Sequence, residues 1–325
     1  MTSYNRLGNS GLTVSTVGLG CNNLGRPGTR TESQEGTDAV VNAAIDAGIT
    51  LFDVADTYGA EPGLSEERLG RALGDRRGDV ILATKFGMDM HGVNGRDFDA
   101  RGSRRYIVKA AEASLRRLDT DWIDLYQFHT PDPQTPIEET LAALDDLVTS
   151  GKVRYIGHSN RAGWQIADAE FTARLGGYTP FISAQNHYNL LDRRAELEVL
   201  PAAEAYGLGV LPYFPLANGL LTGKYSSGQA PEGSRLTHSR QNLLEKADFD
   251  QLAEFGAFAK DRGLTEVQVA FSWLAAQPAV SSVIAGATTV EQVRQNAQAA
   301  DWQPSQADLE ELDRIFPRTP KVALF

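Results

Sequence analysis

The stretch ITLFDVADTYG at positions 49–59 decides the fold, because an apolar strand pattern ends there in polar residues and a helix pattern follows over 65–73. Its first part, ITLFDVA (49–55), is rich in β-branched and aromatic residues, which is typical of strands. The same pair of patterns recurs, giving eight units in all. The predicted strands and their helices are TVGLG (16–20) with 34–47, ITLFDVA (49–55) with 65–73, DVILATKF (79–86) with 104–118, WIDLYQFH (122–129) with 136–150, KVRYIGHS (152–159) with 162–175, FISAQN (181–186) with 192–206, LGVLPYF (208–214) with a long loop and helices, and SSVIAG (281–286) with 289–299.

Eight strand–helix units predict an α/β protein with a closed (β/α)8 TIM barrel. Four of the strand patterns are nearly continuous apolar runs, as expected for parallel strands that are covered on both faces. A hairpin over 4–15, turning at Asn9-Ser10-Gly11, is expected to close the bottom of the barrel. One extra C-terminal helix is predicted over 304–316. No linker or change of composition interrupts the chain, so residues 1–325 are expected to form one domain.

The composition excludes several classes of protein. The chain has 325 residues, of which 42% are hydrophobic, and this is enough apolar material to bury a large core. A formal net charge of −11 disfavours nucleic acid or an anionic membrane as partner. The single cysteine and the absence of a signal-peptide or membrane-spanning pattern lead us to expect a cytoplasmic protein. The oligomeric state stays open.

Polar side chains at the ends of three adjacent predicted strands suggest the chemistry. Asp53 and Tyr58 follow the second strand, Lys85 ends the third, and His129 ends the fourth. In such barrels the segments after the strands build the active site, so these groups should converge. An ammonium group beside a phenol stabilises the phenolate, and Tyr58 could therefore donate a proton to a carbonyl oxygen. We expect Asp53 to hold Lys85, and His129 to position the substrate oxygen.

Several longer motifs resemble the aldo-keto reductase superfamily, particularly bacterial reductases similar to potassium-channel β-subunits. The resemblance rests on RLGNSGLTVSTVGLG (6–20), FDVADTYG (52–59), IGHSN (156–160), PYFPLANGLLTGKY (212–225) and VIAGATTVEQVRQN (283–296), and it covers essentially the whole chain. It implies a (β/α)8 barrel that reduces aldehydes or ketones with NADPH. It also implies Tyr as the acid, Lys and Asp as its partners, and His as the group that orients the carbonyl; Asp53, Tyr58, Lys85 and His129 match these.

The resemblance further implies a set of cofactor-binding residues. Ser159, Asn160 and Gln185 correspond to residues that bind the nicotinamide carboxamide, and Tyr213 corresponds to the aromatic that stacks on the nicotinamide ring. The loop over the pyrophosphate and the adenosine end correspond to Phe214, Pro215, Leu216, Lys224, Arg235, Gly286, Thr288, Gln292 and Asn296. Phe214 stands where many relatives have serine. Thr288 and Glu291 have the spacing of a capping box, which predicts that the helix over 289–299 presents backbone N–H groups to a phosphate.

Gly20, Cys21 and Asn22 follow the first predicted strand and complete the candidate cofactor site. We expect Asn22 to face the pocket and Cys21 to pack beside it. The expected cofactor is NADP(H) in preference to NAD(H), although Gly286 and Ala287 replace a basic residue that often occurs at this position in the family. No cluster has metal-ligand spacing, so no catalytic metal is expected.

Two other functions stay open at this stage. The barrel could bind NADP(H) as a redox sensor that regulates a partner, with vestigial catalysis, although the four matching catalytic residues argue against this. A cofactor-free isomerase or lyase acting on sugar phosphates would leave Tyr213, Gln185 and the loop around Arg235 without a role. The partner expected from the leading interpretation is a small-molecule carbonyl compound.

Overall fold

Eight parallel strands form the main sheet of the computed structural model, which describes residues 3–225, 236 and 241–318. The first seven strands of this sheet pair consecutively along the chain, and the eighth pairs with the first. Two further strands form a separate antiparallel hairpin. The strands are β1 (Tyr4–Arg6), β2 (Thr13–Ser15), β3 (Val17–Gly20), β4 (Leu51–Asp53), β5 (Ile81–Phe86), β6 (Ile123–Phe128), β7 (Val153–Ser159), β8 (Ser183–Gln185), β9 (Gly209–Val210) and β10 (Val283–Gly286).

The sheet closes between β9 and the segment that leads into β10. Val210 and Val280 form a parallel bridge. The backbone N–H of Val210 donates to the carbonyl of Ala279 at 2.7 Å, and the N–H of Ser281 donates to the carbonyl of Val210 at 3.0 Å. Since β10 also pairs with β3, the strands form a closed circuit, and the predicted (β/α)8 barrel is confirmed.

The hairpin of β1 and β2 covers the end of the barrel where the strands begin. Gly8, in its turn, has a φ of +58°, and a Cβ at this position would lie 2.4 Å from the carbonyl oxygen of Gly207. Only glycine fits so close to another backbone in this conformation. The hairpin predicted over 4–15 is therefore confirmed, and it seals the bottom of the barrel.

The helices surround the barrel and follow the strands in alternation. The extra C-terminal helix is present as the last of them. They are α1 (Gln34–Asp46), α2 (Leu64–Leu73), α3 (Arg104–Leu118), α4 (Ile137–Thr149), α5 (Gly163–Gly176), α6 (Val199–Tyr206), α7 (Gln241–Glu245), α8 (Phe249–Asp261), α9 (Glu266–Ala275), α10 (Val290–Gln298) and α11 (Gln306–Ile315). None of the helices in the described part of the chain is long and apolar enough to cross a membrane.

The predicted helix over 192–206 is wrong in its first half. Residues 194–196 form a single 3-10 turn, and α6 begins only at Val199. Pro201 has no N–H to donate and is tolerated only in the first turn of a helix, so a helix that contains it must begin just before it. The seventh predicted strand, 208–214, is also much longer than β9, whose ladder ends at Val210.

Successive side chains of a strand point alternately into and out of the barrel, and this alternation positions the site. In β4, β5 and β6 the inward positions near the strand starts are apolar, and Leu51, Ala83 and Leu125 pack with the hairpin in one buried cluster. Two residues later on each strand, the inward positions are polar and lie at the opposite end of the barrel. These positions hold Asp53, Lys85 and Gln127. The interior is therefore apolar at the bottom and charged at the mouth.

Candidate active site

The mouth of the barrel brings together the four side chains expected to carry the chemistry. Asp53 ends β4, Lys85 lies one residue before the end of β5, and His129 directly follows β6. Tyr58 lies in the segment between β4 and α2, and its ring meets that of His129 edge to face, with centroids 5.8 Å apart. The Nζ atom of Lys85 lies 5.0 Å from the centroid of the Tyr58 ring. The geometric convergence expected from the sequence is therefore present.

Asp53 and Lys85 form an ion pair that is almost entirely excluded from solvent. The Lys85 Nζ atom donates to Asp53 Oδ2 at 2.6 Å and to the carbonyl of Val54 at 2.9 Å. Lys85 has no exposed surface, and Asp53 is 3% exposed. Two charges removed from water are tolerated only when they are paired and hydrogen-bonded, and this pair meets both conditions.

The environment sets the protonation states of Lys85 and Tyr58. Burial disfavours the ammonium form of Lys85, but Asp53 and Tyr58 outweigh burial, so the pKa of Lys85 lies above its ordinary value. Burial raises the pKa of the Tyr58 phenol, and the nearby ammonium group partly opposes this shift. From the sequence, only the lowering effect of Lys85 was expected. The net shift is upward, and Tyr58 therefore keeps its proton at neutral pH, as a proton donor must.

His129 is uncharged in this environment. Burial and the positive charge of Lys85 lower the pKa of its imidazole to about 3. Its Nδ1 atom is buried and has no hydrogen-bond partner among the described residues. A buried ring nitrogen without a partner is costly unless a ligand satisfies it. This neutral imidazole can offer a hydrogen bond to an oxygen atom placed at the mouth.

Gln127 is a site residue that the sequence analysis missed. Its amide nitrogen donates to Asp53 Oδ1 at 2.9 Å, and Gln185 donates to the same oxygen at 3.0 Å. Gln127 is paired in register with Lys85 across β5 and β6 and lies two residues before His129. That spacing of two was the available signal, because it puts both side chains on the same face of the strand. Together the two amides fix the Asp53 carboxylate.

The segment after β3 supports Asp53 through its backbone. The N–H of Cys21 donates to the carbonyl of Asp53 at 2.8 Å, and the Cys21 carbonyl accepts from the Ser65 hydroxyl at 2.6 Å. Cys21 is fully buried, and burial raises the pKa of its thiol. Gly20 is paired in register with Asp53, whereas Asn22 is partly exposed. These positions match packing for Cys21 and an accessible side chain for Asn22.

A chain of hydrogen bonds crosses the rim beside His129. Asn160 has a left-handed backbone, with φ +58°, and its amide nitrogen donates to the His129 carbonyl and to Ser159 Oγ, both at 3.0 Å. The Tyr213 hydroxyl donates to Asn160 Oδ1 at 2.8 Å. Ser159 Oγ donates to the carbonyl of Gln185 at 2.7 Å. The structure therefore brings the candidate nicotinamide residues together, with Gln185 also engaged on Asp53.

Tyr213 has an aromatic stacking partner at the rim. The ring of His187 lies parallel to that of Tyr213, with centroids 5.4 Å apart and an angle of 8° between the planes. Asp192 holds His187 through Nδ1 at 3.0 Å, and Asn189 contacts Nε2 at 3.2 Å. These contacts fix the orientation of the aromatic pair at the rim.

The segment after Tyr213 begins with an unusual backbone. Phe214 has φ +54°, and its carbonyl accepts a hydrogen bond from Asn189 at 2.9 Å. Pro215 is buried and Leu216 partly buried, whereas Lys224 is exposed. Lys224 is thus the accessible cation of this segment, with Nζ 5.1 Å from the ring centroid of Tyr225. Arg235, the other cation expected on this loop, lies outside the described residues.

The candidate adenosine site lies where β10 leads into α10. The predicted capping box of Thr288 and Glu291 is wrong by one residue, because Thr289 is the N-cap and its side chain accepts from the N–H of Gln292. The N–H and hydroxyl of Thr288 bond to Oε1 of Gln292 at 2.8 and 3.1 Å. Asn296 reaches the carbonyl of Gly286 at 3.5 Å. These four candidate residues are close together, but their polar groups now bond to one another.

Gly286 allows the candidate adenosine site to approach the segment that follows β3 closely. A Cβ at Gly286 would lie 2.8 Å from Nδ2 of Asn23 and 3.5 Å from Oδ1 of Asn22. Asn23 accepts a hydrogen bond from Arg26 at 2.9 Å. The structure thus places a guanidinium group near the adenosine end, where the sequence analysis found a basic residue missing.

The protein is a closed α/β barrel. At its mouth lie a protonated phenol, a buried ammonium–carboxylate pair and a neutral imidazole. Such a site is suited to acid catalysis on a small molecule. The chain belongs to the aldo/keto reductase family, whose family model matches residues 16–316. Members of this oxidoreductase family act on small-molecule carbonyl compounds and generally use nicotinamide cofactors.

Three relatives show the range of the family around this chain. It is 40% identical to the uncharacterized oxidoreductase YrpG of Bacillus subtilis, over 97% of this chain and 96% of the relative. It is 35% identical to a probable voltage-gated potassium channel subunit beta of Arabidopsis thaliana, with 98% of each covered. It is 34% identical to the L-glyceraldehyde 3-phosphate reductase of Escherichia coli K12, over 91% of this chain and 87% of the relative.

Proposed function

We propose that this protein is a cytoplasmic, NADPH-dependent reductase that converts aldehydes or ketones to alcohols, with Tyr58 as the general acid. The observation that carries the proposal is the buried Lys85–Asp53 pair at 2.6 Å, with the Tyr58 ring 5.0 Å from the Lys85 ammonium. A permanent positive charge beside a protonated phenol is the arrangement that proton donation to a developing alkoxide requires.

The residues at the mouth fit a nicotinamide dinucleotide. His129 Nδ1 is a buried polar atom without a partner among the described residues, and the adenosine end offers the polar side chains of Thr288, Gln292 and Asn296 close together at the surface. We assign the nicotinamide end to Ser159, Asn160, Gln185 and Tyr213, the pyrophosphate to the segment from Phe214 to Lys224 with Arg235, and the adenosine end to Gly286, Thr288, Gln292 and Asn296. We assign Asn22 to the floor between the two ends, with Gly20 beside it and Cys21 packed beneath them. When bound, the cofactor supplies the hydride that reaches the carbonyl carbon.

The side chains of the site then divide the remaining work. The neutral His129 imidazole hydrogen-bonds the carbonyl oxygen and holds it near Tyr58. The Tyr58 hydroxyl transfers its proton to that oxygen as negative charge develops, and the Lys85 ammonium stabilises the phenolate left behind. Asp53, held by Gln127 and Gln185, keeps Lys85 charged and in place. Because Asp53, Lys85 and Gln127 already hold one another in place, these side chains do not have to rearrange for the proton transfer.

The relatives support a carbonyl substrate without identifying it. One is named L-glyceraldehyde 3-phosphate reductase, and another, 33% identical, is the versiconal hemiacetal acetate reductase of Aspergillus parasiticus. We propose a small aldehyde or ketone as the substrate. The preference for NADPH over NADH depends on a cation near the 2′-phosphate, for which Arg235 and Arg26 are the candidates.

The decisive experiment compares the parent protein with Tyr58→Phe. NADPH oxidation is measured against a panel of aldehydes, ketones and sugars, and NADPH and NADH binding are measured separately by cofactor fluorescence. The variant should bind NADPH as the parent does and lose at least about a hundredfold in kcat, the scale expected when a general acid is removed. Undiminished turnover by Tyr58→Phe would remove Tyr58 from this role. Equal affinity of the parent for both cofactors would defeat the NADPH preference, which Arg235→Ala tests further.

The similarity to a probable potassium channel subunit beta favours a second candidate function, an NADP(H)-binding regulatory protein with vestigial catalysis. The same measurements separate the two functions. NADPH binding without turnover of any carbonyl compound on the panel would support the regulatory protein. Turnover that depends on Tyr58 would support the reductase.

A further inference from the structure

Helix α5 (Gly163–Gly176) is apolar on the face that contacts solvent as well as on the face that packs on the barrel. Its inward residues Ile166, Ala169 and Ala173 are buried in the core. On the opposite side three large apolar side chains are exposed, and we call them, with the charged residues between them, the α5 stripe. Trp164 is 66% exposed, Phe171 52% and Leu175 88%. A helix that is apolar all round normally has a partner on both sides.

Helix α3 (Arg104–Leu118) provides a comparison, because its outer face is mainly charged. Its exposed positions include Arg105, Lys109 and Arg116, and Val108 is an isolated apolar residue among them. Scattered exposed apolar residues of this kind are normal on any surface. The α5 stripe differs because its apolar residues are spaced seven and four positions apart, which puts them on one side of the helix.

Two opposite charges lie within the stripe at equal distances from Phe171. Asp168 precedes Phe171 by three residues, Arg174 follows it by three, and both are exposed. Arg174 bonds through Nε to Glu170 at 2.6 Å, and 59% of its side chain remains exposed. When an acid and a base lie at equal distances on either side of a central residue, the surface is complementary to a copy of itself rotated by 180°.

We propose that the α5 stripe is a homodimer interface, in which two copies of the chain pack their α5 helices antiparallel with Phe171 at the two-fold axis. With a rise of about 1.5 Å per residue, Asp168 of each copy then lies opposite Arg174 of the other. Leu175, four residues from the axis, and Trp164, seven residues from it on the other side, then flank the centre of the contact in both copies. The contact between the two Phe171 rings lies on the axis and occurs once, each Asp168–Arg174 pair occurs twice, and the two-fold symmetry closes the assembly at two copies.

Neighbouring residues widen the contact beyond one helix. The ring of Phe171 meets that of Tyr206, at the end of α6, edge to face with centroids 5.9 Å apart. Aromatic residues at the centre and charges within reach are the composition that stable interfaces favour. The site at the barrel mouth contributes no residue to this surface, so dimer formation and the proposed reductase function can be tested independently.

Sedimentation velocity on the full chain tests the proposal over concentrations from about 1 to 100 µM, the range in which a modest interface dissociates. The parent should be dimeric at the upper end of this range. Leu175→Glu places two charges in the apolar contact and should raise the dimer dissociation constant by about a hundredfold or more. Val108→Glu on α3 is the matched control and should leave it unchanged. Circular dichroism and NADPH oxidation check that each variant is folded.

Charge reversal tests the antiparallel register itself. Asp168→Arg alone and Arg174→Asp alone each place like charges opposite one another and should weaken the dimer by about tenfold. The double variant restores opposite charges and should recover most of the parental affinity. A chain that is monomeric at all these concentrations overturns the proposal, even if the stripe binds a different protein. A dimer that Leu175→Glu does not affect, or a double variant no tighter than the singles, overturns it as well.

Discussion

The two ends of the candidate cofactor site are built differently. At the catalytic end, Asp53, Lys85 and Gln127 are buried, and their polar groups are fixed by one another before any ligand arrives. At the adenosine end, Gln292 is exposed and Thr288 partly so, and the bonds between them face solvent. One end is organised in advance, whereas the other must exchange its internal hydrogen bonds for bonds to a ligand.

Because of this difference, changes at the catalytic end should affect kcat, and changes at the adenosine end should affect the affinity for the cofactor. A buried, prearranged charge pair requires no reorganisation when a proton is transferred, so changes at the catalytic end should appear mainly in kcat. Exposed groups that exchange partners gain only the small difference between two similar hydrogen bonds. Changes at the adenosine end should therefore appear as modest shifts of the cofactor Kd. The three predictions below test this contrast from the largest expected effect to the smallest.

Lys85→Met should give the largest effect. It removes the charge that stabilises the Tyr58 phenolate, and kcat should fall by more than about a hundredfold. It also leaves Asp53 buried without its cation, and the free energy of unfolding should fall by about 3–5 kcal/mol. Urea unfolding and NADPH oxidation measure the two quantities.

The double variant Asp53→Asn with Lys85→Met provides the control for stability. It removes both buried charges and should be more stable than Lys85→Met alone, although equally inactive. If the double variant is the less stable of the two, Lys85 does not owe its stabilising role to Asp53.

Acid should destabilise the fold through its buried neutral histidines. The pKa of His129 is lowered to about 3 by burial and Lys85, and burial with Arg161 lowers the pKa of His158 well below its ordinary value. The unfolded chain binds a proton at each of them near pH 6.5, while the folded chain does not. Stability is therefore full above pH 6.5 and falls below it, by about 2 kcal/mol at pH 5 for His129 and by a further amount for His158.

Urea unfolding at pH 7.5 and pH 5 checks this effect. His158→Phe and His129→Asn should each remove about half of the acid-dependent loss. The pH profile of kcat should show no step from His129 between pH 5 and 8. A step in that range that disappears in His129→Asn would show that His129 is charged during turnover.

Gln292→Ala should give the smallest effect. It removes one exposed partner of Thr288, which water can replace, and the NADPH Kd should rise by only about three- to tenfold. The kcat at saturating cofactor should stay close to the parental value. Titration by NADPH fluorescence and steady-state kinetics measure both. A loss of kcat as large as that of Lys85→Met would break the division between the two ends.

Much of this architecture could be predicted from the sequence because the barrel repeats one pattern. Each β/α unit has its own strand signal, and the polar residue at the strand end identifies the mouth, so Asp53, Lys85 and His129 could be located before the structure was known. The left-handed backbone of Asn160 and the contact between Tyr213 and His187 could not, because they depend on loops from different units.

The errors in the sequence-based predictions have separate physical causes. Thr288 and Thr289 are adjacent and equally able to cap α10, and only the fold determines that Thr289 does so. The spacing of Gln127 two residues before His129 indicated that it faces the mouth, but an uncharged amide does not by itself indicate that it holds a carboxylate. The upward pKa shift of Tyr58 depends on burial, which the sequence does not reveal.

The hairpin at the bottom of the barrel has a consequence for the order of folding. Asn5 bonds to the carbonyl of Ser281, 276 residues further along the chain, and Gly8 lies against Gly207 and Gly209. The hairpin therefore cannot complete its native contacts until segments more than 190 residues away in the sequence have folded against it. Until then, the apolar side chains of Leu7 and Leu12 lack the part of their native cover that Leu211 and Ile284 supply, so the hairpin depends on contacts of large sequence separation to complete its folding.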